Sequence, residues 1–343
     1  MNSRTRILLI YTGGTIGMQK DSKTGALKAF NFSKLLQRVP ELKQLDCEIE
    51  TYSFEHPIDS SDMNPAYWST IASVIETNYN EFDGFVVLHG SDTMSYTASA
   101  LSFMLENLTK PVILTGSQLP IGDLRTDAKE NLITAIQVAS MRENNQAVIQ
   151  EVGLYFEYKL YRGNRTTKIN SENFNAFASP NYPALAESGV YLNFKKEVFL
   201  ADNAKGEFRV HHSFDTNVVI VKMFPGMSAA IFSAILAVPG LKGLVLETYG
   251  SGNATTESWF LNALEAAVKS GIHVVNVTQC SAGSVNMGQY ETSSDMKKIG
   301  VISGKDITTE AAITKLMFLL SQNIAVNEFK TVFEKSLRGE MTE

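Results

Sequence analysis

Two cysteines in 343 residues, Cys47 and Cys280, are too few and too far apart for a disulfide scaffold or a cysteine-based zinc site. Basic residues are not in excess. Thirty Lys and Arg stand against 36 Asp and Glu, a net charge of -6, which argues against a dedicated binder of nucleic acid or anionic membrane. A single local cation can still serve a small anionic substrate. Long apolar runs are missing too. Ile7 to Tyr11 is too short for a secretory core and runs into glycines. Nothing approaches the ~20 apolar residues of a membrane span. The expected location is the cytoplasm. With 44% hydrophobic residues the chain can bury real cores, and its length points to two domains.

What is present is a series of short apolar runs that end in small or polar residues. Ile7–Tyr11 runs into Thr12–Gly13–Gly14–Thr15, Phe85–Leu88 into His89–Gly90–Ser91–Asp92, and Val112–Leu114 into Thr115–Gly116–Ser117–Gln118. Such runs suit parallel strands buried on both faces. Between them the spacing predicts helices, with Met94, Ala98, Leu101 and Leu105 on one face and Ala128, Leu132, Ala135 and Ala139 on another. Alternating strand and helix means βαβ units and a mainly parallel sheet, with ligands beyond the carboxyl ends of the strands. A second α/β series starts near residue 216: strand Val218–Val221, helix Ala229–Val238, strand Leu244–Leu246, the turn Tyr249–Asn253, a helix around Trp259–Val268 and strand His273–Val277. The fold class is therefore α/β in two domains. Residues 1–195 form a larger unit with a mixed, mainly parallel sheet that carries the chemistry. Residues 196–215 form a polar, irregular connection, and 216–343 a smaller unit with a parallel sheet.

Four segments carry candidate chemistry. Glycines after a buried strand, as in Thr12–Gly13–Gly14–Thr15, turn backbone N–H groups toward one point, and Thr15 beside them can attack a carbonyl while they hold the oxyanion. A tight strand–helix turn with a capping threonine has the same tetrapeptide. In His89–Gly90–Ser91–Asp92–Thr93, Ser91 and Asp92 are either helix caps or a hydroxyl and a carboxylate able to grip an ammonium or orient a lysine. Tyr161 to Lys168 holds three cations. They suit a solvated loop equally, but a desolvated Lys168 could take a proton from a hydroxyl. Asp59–Ser60–Ser61–Asp62–Met63 can hold carboxylate or amino groups, or cap the helix before Tyr67–Trp68. Ser117 and Gln118 can line a pocket through backbone atoms. Cys280, at a strand end, is read as packing, and His56, His211 and His212 as surface groups.

Taken together, Thr12–Gly17, Asp59–Met63, His89–Met94 and Arg162–Lys168 resemble the asparaginase family in the same order, and its type I cytoplasmic branch most nearly. Ser99–Leu108, Asn276–Cys280 and Leu337–Thr342 extend the likeness over essentially the whole chain. The resemblance implies hydrolysis of L-asparagine to L-aspartate and ammonia. It assigns Thr15 as nucleophile beside Gly14, and Ser91, Lys168 and Asp92 as a hydroxyl–lysine–carboxylate triad. Ser60 and Ser61, with Ser91, Asp92 and Ser117, hold the substrate. Asn253 reaches the site of a neighbouring subunit in a homodimer or dimer of dimers. It implies no metal and no organic cofactor.

Three departures from the family pattern stand out. Ser91 occupies a position usually held by threonine, so the methyl that stiffens χ1 is lost. The loop after Thr15 reads Lys23–Thr24–Gly25–Ala26–Leu27, without the tyrosine many relatives carry, and Tyr290 is the candidate substitute. Glu247 stands where substrate-activated relatives use an arginine to bind effector carboxylate, so hyperbolic kinetics are expected. The competing readings are an amidohydrolase of the same scaffold acting mainly on glutamine or another amide, such as the archaeal glutamyl-tRNA amidotransferase subunit, and a non-enzymatic amino-acid sensor.

Overall fold

The computed structural model describes residues 4–20, 27–29, 39–200, 206–288 and 291–343. The chain divides into two compact units, Met1–His212 and Ser213–Glu343.

In the first unit, strands β1 (Thr5–Gly13), β2 (Cys47–Ile58), β3 (Gly84–Leu88), β4 (Val112–Thr115), β5 (Val152–Phe156) and β6 (Lys159–Arg162) form most of an eight-stranded sheet. With β7 (Ala186–Ser188) and β8 (Leu192–Phe194) the spatial order is β8-β7-β6-β5-β4-β3-β1-β2. The pairs from β2 through β5 are parallel, and those from β5 through β8 antiparallel. All five residues of β3 are buried, which explains its unbroken apolar run: strands covered by helices on both faces have no solvent face to alternate with. Helices α1 (Pro65–Asn78), α2 (Met94–Met104) and α3 (Ala128–Ser140) belong to this unit. The side chain of Asn64 caps α1 by accepting from the N–H groups of Ala66 and Tyr67, with Pro65 at the first helical position.

Helix α2 stops one residue short of Leu105, which opens a two-residue strand, Leu105–Glu106, antiparallel to Arg209–Val210. Part of the polar stretch read as irregular is thus ordered against the first unit. Asn107, with φ of 55°, turns the chain there and donates to the Glu207 carbonyl at 2.9 Å.

The second unit holds a four-stranded parallel sheet of β9 (Val218–Lys222), β10 (Gly243–Thr248), β11 (His273–Thr278) and β12 (Ile302–Ser303) in sequential order. Its helices are α4 (Ala229–Leu236), α5 (Ser258–Lys269), α6 (Glu291–Ile299), α7 (Thr309–Leu320) and α8 (Val326–Phe333). Phe232, Phe260, Leu264, Leu244 and Val274 anchor its core. Cys280 is exposed, contrary to the packing role read for it. It falls past the last paired residue of β11, in the turn, where its N–H donates to the Thr278 hydroxyl. No helix among the described residues is long and apolar enough to cross a membrane.

Candidate active site

The carboxyl ends of β1, β3 and β4 lie side by side, and their loops interlock. The register pairs Tyr11 with Leu88 and Leu88 with Thr115, so three strands end almost level. The Thr12 hydroxyl donates to the Leu88 carbonyl at 2.9 Å and ties the first two ends together. Gly14, with φ of 87°, presses its backbone against Gly90: a Cβ there would lie 2.5 Å from the Gly90 nitrogen. A Cβ on Gly90 would in turn meet the Ser60 hydroxyl oxygen at 2.5 Å. Thr15 follows at the first position of a single 3-10 turn, Thr15–Gly17, with its side chain partly exposed.

The second cluster is made by a hairpin that returns Lys168 to the end of β3. Thr167–Lys168 pairs antiparallel with Phe177–Ala178. The Lys168 Nζ donates to Ser91 Oγ at 2.8 Å and to Asp92 Oδ1 at 2.6 Å. Neither Ser91 nor Asp92 is the cap of α2. The residue before that helix is Thr93, and its hydroxyl donates instead to the Ser60 carbonyl at 2.6 Å. The capping alternative is thereby removed for this segment. The solvated-loop alternative fails too, because Arg162 and Arg165 are 4% and 2% exposed. Arg162 Nε donates to Glu151 at 2.6 Å, and Arg165 lies over the Tyr182 ring.

Beneath the turn that carries Ser91 sits His89, which is fully buried. Trp68 Nε1 donates to the Thr97 hydroxyl at 3.1 Å, Thr97 lies 2.8 Å from His89 Nε2, and His89 Nδ1 lies 2.7 Å from the Gly90 carbonyl. A carbonyl can only accept, so Nδ1 carries the proton and Nε2 accepts from Thr97. Burial pushes the imidazole down to about 4, so it stays neutral near pH 7.

Other predicted residues are placed less directly. Ser60 is buried and faces Gly90, whereas Ser61 is exposed and donates its hydroxyl to Asp59 at 2.8 Å. Ser61's backbone and side-chain hydrogen bonds hold the Asp59 carboxyl below its usual range. The Ser117 hydroxyl donates to the Leu119 carbonyl at 2.6 Å, which leaves its oxygen only as an acceptor. Asn253, in the second unit, closes a tight turn in which it and Tyr249 exchange backbone hydrogen bonds of 2.8 Å. Its Oδ1 is buried without a partner among the described residues. Tyr290 and the segment 23–26 lie outside the described residues. Gln118 is the residue whose side chain went unread: its Oε1 accepts from Ser91 Oγ at 3.2 Å.

Two family models cover nearly the whole chain. "Asparaginase, N-terminal" matches residues 6–199 and "Glutaminase/Asparaginase C-terminal domain" matches residues 217–333. This chain belongs to the asparaginase family. It is 44% identical to L-asparaginase 1 of Escherichia coli (strain K12), over 98% of both chains. It is 40% identical to a 60 kDa lysophospholipase of Mus musculus, spanning all of this chain and 63% of that longer protein. Among solved structures it is similar to L-asparaginase I of Vibrio cholerae, with a TM-score of 0.90 at 43% identity, covering 99% of this chain and 100% of that one. Among the described residues no group of three or more His, Cys, Asp or Glu is arranged to hold a metal ion.

Proposed function

We propose that this asparaginase-family chain hydrolyses L-asparagine to L-aspartate and ammonia, with Thr15 as nucleophile and Ser91, Lys168 and Asp92 as its proton-handling triad. The observation that carries this reading is the bifurcated reach of Lys168, whose nitrogen bonds both a hydroxyl and a carboxylate beside the turn that holds Thr15.

In the proposed sequence the Thr15 oxygen attacks the side-chain carbonyl carbon, and its proton passes to the Ser91–Lys168 pair. Backbone N–H groups after β1 receive the oxyanion. Collapse breaks the C–N bond, and the stored proton leaves with ammonia. Water then repeats the attack on the Thr15 ester and frees aspartate. The exposed Asp92 carboxylate suits the substrate ammonium, and buried Ser60 with neighbouring N–H groups suits the α-carboxylate. Burying both charged ends against fixed partners gives specificity for an amino acid over a simple amide.

Cytoplasmic location and assembly into a dimer or dimer of dimers, with Asn253 completing a neighbour's site, belong to the same proposal. So does Tyr290 as the group polarising Thr15, which a Tyr290→Phe variant of undiminished turnover would remove. The deciding experiment is ammonia release from L-asparagine, L-glutamine and D-asparagine by the native chain and by Thr15→Val. We expect L-asparagine to be preferred, and Thr15→Val to lose more than about a thousandfold in kcat. Native-like turnover by Thr15→Val would overturn the nucleophile assignment. Faster release from glutamine would overturn the substrate assignment.

A further inference from the structure

Gln118 occupies an unusual position: one side chain touches both the loop that carries Ser91 and the loop that follows Lys168. Its Nε2 donates to the Asn173 carbonyl at 3.1 Å, and its Oε1 accepts from Ser91 Oγ at 3.2 Å. A carbonyl cannot donate, so the first bond fixes which end of the amide faces Ser91. In this resting geometry the Ser91 hydrogen points at Gln118, and an oxygen lone pair faces the Lys168 nitrogen 2.8 Å away. The proposed relay needs only a turn of that hydrogen about the Cβ–Oγ bond toward Lys168, which leaves Oγ in place.

The base of Gln118 is itself held. The Asp127 carboxylate, 8% exposed, accepts from the N–H of Gln118 at 2.9 Å and of Leu119 at 3.2 Å. It also accepts from Asn131 Nδ2, which in addition donates to the Gly116 carbonyl at 3.0 Å. Burial raises the Asp127 carboxyl above its ordinary value, while these N–H donors work the other way. Asn173 is likewise fixed, its N–H bonded to Asn170 Oδ1 at 2.9 Å in an Asx turn. The amide thus spans two anchored loops.

Serine has no γ-methyl, so its χ1 has three accessible wells where a β-branched residue is restricted. We infer that Gln118 is a positioning residue that holds the unbranched Ser91 side chain with its Oγ within reach of Lys168. The inference rests on the triad reading given under Proposed function. It makes a prediction that a merely structural glutamine does not: the need for Gln118 depends on which hydroxyl residue stands at position 91.

The test is a double-mutant cycle in steady-state kinetics with L-asparagine. Gln118→Met keeps length and volume and leaves the backbone bonds to Asp127 in place, but removes both side-chain bonds. In the native background it should lower kcat about tenfold with KM changed less than about twofold, as expected for loss of orientation of a reacting group. In a Ser91→Thr background the same substitution should cost less than about twofold, because threonine stiffens itself. Gln118→Glu keeps the acceptor toward Ser91 and should lose less than Gln118→Met; it also gives a second reading if the methionine variant unfolds. Equal losses in the two backgrounds, no loss in either, or equal losses for Glu and Met would each overturn the role of Gln118. A Lys168→Met control separates the two levels. If it retains turnover, the triad and this inference fall together. If it is inactive while the Gln118 cycle is flat, only the inference falls.

Discussion

Two lysine–carboxylate pairs in this chain look alike on paper and are held in opposite ways. Lys315 and Glu340, in the second unit, are both fully buried, and every donor of the ammonium is used: on the Glu340 carboxylate and on the Phe333 and Lys335 carbonyls, each at 2.7 Å. Glu340 is equally saturated, accepting the N–H groups of Leu337 and Arg338 at 2.9 and 2.7 Å. Burial alone would raise its carboxyl, but Lys315 and those N–H groups hold it below the ordinary range. Lys168 and Asp92, in the first unit, are 18% and 63% exposed, and the lysine gives one donor to a hydroxyl, Ser91. The contrast is one of saturation. The buried pair spends its donors and acceptors within the protein and clasps Leu337–Glu340 to α7. The Lys168–Asp92 pair keeps an exposed carboxylate and a bond to a hydroxyl, the arrangement that the proposed proton transfer requires.

The sharpest way to break that comparison is to remove each lysine. Lys168→Met should reduce kcat by about a thousandfold, in the range of general acid–base catalysis, and leave the urea unfolding midpoint close to native. Lys315→Met should do the reverse and lower the unfolding free energy by about 3–5 kcal/mol, because Glu340 is left as an uncompensated buried charge. Measured together, kcat and unfolding midpoints should separate the two variants cleanly. A Lys168 variant that loses stability as Lys315 does, or a Lys315 variant as stable as native, would erase the distinction.

Acid sharpens the same comparison. His89 sits under the Ser91 turn with its imidazole pushed down to about 4, against roughly 6.5 in the unfolded chain. Below about pH 6.5 the unfolded state therefore binds a proton that the folded state refuses. This contribution is fully present above pH 6.5 and is lost as pH falls toward 4, by about 3 kcal/mol in all. Glu340, whose carboxyl is held low, gives up its share only further into acid, as pH falls through its folded value. Urea unfolding at pH 7.5 and pH 5.0 should show the native chain weakening between the two. His89→Gln should flatten that slope by up to one proton, or about 1.4 kcal/mol per pH unit. An unchanged slope would show that His89 is not the group responsible.

Much of the first unit was legible because buried parallel strands leave continuous apolar runs, and the small polar clusters after Tyr11, Leu88 and Leu114 mark where those strands end. The position of the site follows from that alone. Three things were not legible. Whether Lys168 lay in a solvated loop depended on a hairpin only two residues deep on each side. The role of Gln118 depends on a backbone carbonyl, that of Asn173, and a carbonyl leaves no residue-type signature. The Lys315–Glu340 clasp joins a helix to a tail 25 residues further on, with no periodicity to announce it. The placement of Cys280 was misread because a strand's last apolar residue does not say whether the next one is covered.

The smallest expected effect concerns Glu247, near the end of β10, in the position that the family resemblance associates with an effector-binding arginine. Its side chain is 15% exposed, with Lys222 3.8 Å away, and one of its oxygens accepts from the Thr309 hydroxyl at 2.6 Å. A carboxylate effector arriving there would meet a like charge already committed to two partners. At close range that repulsion exceeds what one exposed lysine returns. With no differential binding between two states there is nothing to make the rate curve cooperative. Initial rates against L-asparagine should therefore fit a hyperbola with a Hill coefficient of about 1. Glu247→Gln, which keeps an acceptor for Thr309 and removes the charge, should leave that shape unaltered. A sigmoidal curve in the native chain would mean that an ionic site in the second unit, besides the proposed triad of the first, answers to ligand.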